Sequence, residues 1–139
     1  NIIGLKEAVG DESRWRDLYP MASPGFALLS GDDPTFVRAM MGGANGVISV
    51  ASNAVPASFS RICRYLAEGN FAAAEAMDSK LRNLYDFLGV EPNPIPVKAL
   101  MKLLGFGHGL RMPLLPLSQV YETQAVEMAE LCKTMEQSL

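Results

Sequence analysis

The chain has 139 residues, 49% of them hydrophobic, which fits one ordinary domain with enough apolar content for a core. Its 12 Lys+Arg against 15 Asp+Glu leave a net charge of -3 with no basic stripe, so nucleic acid is excluded as an expected partner. The apolar stretches are broken by Gly, Pro or charge well short of the roughly 18 residues a membrane span needs, and Asn1 leads into a strand pattern without a basic signal-peptide region. No membrane association is expected, and the expected location is cytoplasmic, or the plastid if the source is a plant.

Three short apolar runs, at residues 2–5, 26–30 and 46–50, are separated by polar, helix-compatible segments, which is the rhythm of βαβ units. In the first, strand alternation places Ile2, Gly4 and Lys6 on one face and Ile3 and Leu5 on the other. Asp11 is a helix cap for a segment through Trp15 and Leu18 that Pro20 stops. After the second run, Asp33 caps and Pro34 takes the first helical position, so Phe36, Val37, Met40 and Met41 share a face until Gly42 and Gly43 end the helix.

Beyond the third run, Pro56 opens a helix bearing Phe59, Ile62, Cys63 and Leu66, which Gly69 ends. Asn70 caps a longer helix with Phe71, Ala74, Met77, Leu81, Leu84 and Leu88 at three- and four-residue spacing. Residues 94–104 form another helix, and residues 120–139 a last one with Met128, Leu131, Cys132 and Met135 on one stripe. The fold class is therefore α/β: β/α units over residues 1–69 and a helical domain over 70–139. Three parallel strands are too few to close an eight-stranded barrel, and both sheet edges would be left unpaired. The expectation is the carboxyl-terminal portion of a longer polypeptide.

Lys6 follows an apolar run, where an amine at a strand end can form a Schiff base with a carbonyl compound. Such an amine must lose its proton to attack, and an apolar barrel interior favours that by desolvation. In Ser30-Gly31-Asp32-Asp33, the glycine permits close approach to the backbone and Asp32 can orient a polar group, although a turn role also accounts for it. Gly42-Gly43-Ala44-Asn45-Gly46 precedes a strand and lacks the spacing of a phosphate loop. Cys63 and Cys132 are far apart with no metal-ligand spacing and read as buried free thiols; His108, in a glycine-rich stretch, reads as a surface or conformational residue.

Five blocks then stand in order: Asn1-Ile2-Ile3-Gly4-Leu5-Lys6-Glu7-Ala8, Leu28-Leu29-Ser30-Gly31-Asp32-Asp33, Gly42-Gly43-Ala44-Asn45-Gly46-Val47-Ile48-Ser49-Val50, Glu91-Pro92-Asn93-Pro94-Ile95-Pro96-Val97-Lys98 and Leu110-Arg111-Met112-Pro113-Leu114. Together they resemble the carboxyl-terminal half of the dihydrodipicolinate synthase family. The wider family includes N-acetylneuraminate lyase and pyruvate-dependent sugar acid aldolases; Glu7-Ala8 and the Glu91 to Lys98 block favour the synthase.

The resemblance implies the last three β/α units, strands 6–8, of a TIM (β/α)8 barrel with a C-terminal helical domain. It implies that Lys6 forms a Schiff base with pyruvate and that the resulting enamine attacks aspartate semialdehyde, in lysine and diaminopimelate biosynthesis, with no cofactor and no metal. Ile48 matches a position whose backbone carbonyl lies beside the reacting lysine; Gly31, with Asp32, lines the pocket; Asn93 supports the active-site shell. The family's proton relay and carboxylate-binding arginine precede the lysine strand, so Tyr19, Tyr65, Tyr85, Tyr121 and Arg111 are not substitutes for them. The implied partners are the absent N-terminal half of the barrel and further copies, as a tetramer or dimer. Two other readings stand beside this one: a sugar acid aldolase of the same family, and a non-catalytic half-barrel that binds a partner.

Overall fold

A computed structural model describes residues 1–138; Leu139, the expected end of the last helix, lies outside the described residues. The elements are β1 (Gly4–Glu7), α1 (Glu12–Leu18), β2 (Ala27–Ser30), α2 (Phe36–Met41), β3 (Gly46–Val47), α3 (Pro56–Ala67), α4 (Phe71–Asp78), α5 (Arg82–Leu88), α6 (Ile95–Leu103) and α7 (Glu122–Gln137). Short 3-10 turns occupy Tyr19–Met21, Ala51–Asn53, Ser79–Leu81 and Gln119–Tyr121. Two compact units result, one from residues 1–49 and 61–79, the other from residues 50–60 and the chain from Lys80 onward.

The first unit holds a three-stranded parallel sheet in the order β1-β2-β3. Leu28, fully buried, anchors its core with Trp15, Leu18, Ala39 and Ala44, and Leu5 packs at the margin. Trp15 and Leu18 reach this core because they lie three residues apart on α1, which starts where the Asp11 carboxylate accepts the Ser13 N–H at 2.8 Å. Gly4 has a steric reason of its own: a Cβ there would come within 2.6 Å of the Ala27 carbonyl oxygen. The glycine thus serves the close approach of β1 to β2.

Strand boundaries differ from the sequence pattern because pairing, not hydrophobicity, sets them. Ile2 and Ile3 are 79% and 78% exposed, and the ladder begins only at Gly4 opposite Ala27, moving β1 two residues along the chain. Phe26 is held out of β2 by a tight turn in which it and Ser23 exchange backbone hydrogen bonds. β3 shrinks to two residues, which pair only with Leu29 and Ser30. At α2, residues 33–35 form a turn and Thr35, not Asp33, precedes the first helical residue.

In the second unit α5, α6 and α7 pack on one another, and Leu84, Phe87 and Leu100 are completely buried. The buried stripe of α7 is Ala125, Met128, Ala129 and Cys132, while Leu131 and Met135 are only half-buried. Alanines on that stripe let helices approach closely. The long helix expected after Asn70 is broken: α4 begins as foreseen, with the Asn70 side chain accepting the Ala73 N–H at 3.3 Å, but the backbone tightens at Ser79–Leu81 where the chain leaves the first unit. Glu136 of α7 caps α3, its carboxylate accepting the Ala57 N–H at 2.8 Å, the Ser58 N–H at 3.0 Å and the Ser58 hydroxyl at 2.7 Å. No helix among the described residues is long and apolar enough to cross a membrane.

Candidate active site

Lys6 lies inside β1, one residue before its end, and its Cα is in register with Leu29, which is in register with Gly46. Paired residues in a parallel sheet point to the same side and neighbours alternate, so Lys6, Leu29 and Gly46 share the face opposite Leu5 and Leu28. Gly31 and Ile48 continue that alternation just past the strand ends. The Gly31 N–H donates to the Glu7 carbonyl at 2.8 Å and the Ile48 N–H to the Ser30 carbonyl at 2.7 Å, so the ladder's spacing persists through both. Carboxyl ends of parallel strands are where such sheets bind ligands.

The Lys6 side chain runs over Gly31: a Cβ at residue 31 would overlap the Lys6 Cε and sit 3.2 Å from the Ala8 Cβ. Gly31 is therefore the space that admits the lysine's aliphatic stem. The face is open, with Lys6 exposed and Ile48 half exposed. Leu29 adds apolar surface between them.

The nearby carboxylates are occupied elsewhere. Glu7 points to the helix side, where Arg14 Nε donates to it at 2.8 Å and the Val9 N–H at 2.9 Å; these bonds, the Arg14 one foremost, hold its carboxyl below the usual range. Asp32 Oδ2 accepts the Thr35 hydroxyl at 2.5 Å, and the Asp32 N–H donates to Ser30 Oγ at 3.3 Å. Asp32 thus stitches the turn after β2 and holds Gly31 in place beside the lysine. Asn93 lies in the other unit, exposed in the loop before α6.

Two positioning residues escaped the sequence reading. Thr35 fixes Asp32, and Asn45 clamps β2 from both sides of its own backbone: its side-chain oxygen accepts the Leu28 N–H at 2.8 Å and its N–H donates to the Leu28 carbonyl at 2.7 Å. An asparagine directly before a strand glycine was the available signal for the second.

Sequential parallel strands with helices on one face, and a lysine on the other near the strand ends, fit part of a β/α barrel. The model of the Dihydrodipicolinate synthetase family matches residues 1–131, and the chain belongs to that family. It is 50% identical over 129 residues to a 4-hydroxy-tetrahydrodipicolinate synthase of Stenotrophomonas maltophilia (strain K279a), covering 93% of this chain and 43% of the relative. It is 41% identical over 138 residues to the synthase of Buchnera aphidicola subsp. Schizaphis graminum (strain Sg), covering 96% and 47%.

Among solved structures, dihydrodipicolinate synthase from Aquifex aeolicus superposes with a TM-score of 0.88 at 34% identity, covering 94% of this chain and 45% of that one. The chloride-inhibited enzyme from Acinetobacter baumannii complexed with pyruvate superposes with a TM-score of 0.87 at 35% identity, covering 96% and 46%. The chain spans less than half the length of these relatives.

Proposed function

We propose that this chain is the lysine-bearing part of a 4-hydroxy-tetrahydrodipicolinate synthase, contributing strands 6–8 of a (β/α)8 barrel and a C-terminal helical domain. The observation that carries the reading is the placement of Lys6 on the open sheet face, its stem over Gly31 and Ile48 on the same face, in a chain of this family. The Lys6 amine attacks the ketone carbon of pyruvate and water leaves, giving an iminium. Loss of a methyl proton gives the enamine, whose carbon bonds to the aldehyde carbon of aspartate semialdehyde. The semialdehyde's amine then closes the ring at the iminium carbon and releases Lys6.

In this scheme Gly31 sets the path of the nucleophile, the Ile48 backbone carbonyl borders the pyruvate, Asp32 holds the turn and Asn93 supports the shell. The covalent Schiff base makes a separate cofactor unnecessary. The partners are the rest of the barrel, which would cover the open face, desolvate the amine and supply proton transfer, and further copies of the enzyme in the cytoplasm. Treating the full-length protein with pyruvate and borohydride should add a reduced pyruvyl group at Lys6, and Lys6→Ala should lose both the adduct and at least about 10³-fold of turnover. An adduct elsewhere, or turnover that survives the substitution, refutes the assignment.

A further inference from the structure

The second unit carries an open groove of about 530 Å³ between α6, the start of α7 and the loop that follows His108. That volume is in the range of small-molecule sites, about 300–1,000 Å³. Its walls are apolar and wet: Leu103 and Val126, 45% and 52% exposed, both line it, with Leu117 on the loop side. Along one side stand Lys98 and Lys102, one turn apart on α6, so their ammonium groups serve the same stretch of groove. Neither lysine is ion-paired among the described residues. Glu122, at the start of α7, also lines the groove.

We propose that this groove binds a small organic monocarboxylate with an extended apolar body, its carboxylate at Lys98 and Lys102 and its hydrocarbon part against Leu103, Leu117 and Val126. Burying that apolar wall supplies the non-directional share of the affinity, and the unpaired lysines orient the acid. A second carboxylate at the far end of the ligand would have to lie against the apolar wall, so a dicarboxylate of equal length is disfavoured. The site lies in the unit that does not contain Lys6 and is independent of the synthase reading.

Calorimetric titration of the full-length protein with decanoate, decanol and decanedioate tests this. Decanoate should saturate one site, more tightly than either analogue, with an affinity that falls as salt is raised. The double substitution Lys98→Glu with Lys102→Glu should weaken decanoate about tenfold and leave decanol unchanged. Val126→Asp, at an exposed position, should remove binding of both while circular dichroism and thermal unfolding stay those of the parent chain. Equal binding of decanol and decanoate, indifference to the double substitution or to Val126→Asp, or no saturation by decanoate below about 1 mM would each overturn the proposal.

Discussion

In the first unit the sheet has one covered face, where Leu28 is buried against Trp15 and Leu18, and one open face that carries Lys6 and Ile48. In the second, three helices enclose Leu84, Phe87 and Leu100 completely. Helices can close a core among themselves because each has a single apolar stripe, whereas a parallel sheet has two faces and two edges to satisfy. The residues proposed for chemistry thus sit on the one surface whose own unit leaves it open. Under the proposed Schiff-base chemistry the Lys6 amine has to be desolvated, so on that reading this face works only once it is covered.

The sharpest way to break this contrast is to assay the 139-residue chain by itself. Its turnover of pyruvate and aspartate semialdehyde should be undetectable, because positioned acid–base groups contribute about 10²–10⁴-fold and the open face hydrates the amine. Adding a separately produced amino-terminal part of the family's barrel should restore turnover in proportion to the complex formed. Full activity without that addition would show that the exposed face is already a complete site.

Gly31→Ala in the full-length protein sharpens the contrast within the first unit. The new Cβ meets the Lys6 Cε, the flexible end of a side chain, so the lysine moves and the backbone does not have to. Misplacing a nucleophile by about 1 Å costs about 10²-fold in rate. The borohydride-trapping rate should fall by that order while the urea midpoint changes little; a large stability loss with an unchanged trapping rate would mean Gly31 serves the backbone instead.

Glu136→Ala probes the other unit in the same way. It removes three hydrogen bonds from the start of α3 and leaves the fully buried Ser58 hydroxyl without that acceptor. A lost cap and a stranded buried donor together cost about 2 kcal/mol, which urea unfolding would report. The trapping rate at Lys6 in the full-length protein should stay within about twofold of the parent, provided the assay runs below the unfolding transition.

These positions also mark what a sequence can disclose. The caps at Asp11 and Asn70 were legible because a side chain bonding an amide two or three residues on is a local event. The Glu136 cap was not, since it joins residues 78 and 79 positions apart and nothing in either segment points to the other. The β/α rhythm could be read from short apolar runs, but not where strands begin: Ile2 and Ile3 look like strand residues, yet register pairing starts at Gly4 and Ile3 contributes only its carbonyl, which accepts the Ala27 N–H. For the candidate site, the order of blocks pointed to Lys6, Gly31 and Ile48, while the steric reason for Gly31 and the clamp by Asn45 required the folded arrangement.

The smallest expected effect concerns Cys132, on the buried stripe of α7. Burial, reinforced by the negative charge of Glu136, raises its thiol to about 11. An unfolded cysteine ionises near about 8.5, so the native state keeps the proton where the unfolded state gives it up. The sign follows: the neutral thiol favours the fold fully below the unfolded value, and that contribution is lost as pH rises from about 8.5 towards the folded value. Denaturant unfolding should therefore show stability declining across this interval, and Cys132→Ser should make the decline shallower. The same protonation makes the thiol a poor nucleophile, so iodoacetamide at pH 8 should label Cys132 only at the rate of unfolding. Fast native-state labelling there would show that α7 opens far more readily than its packing implies.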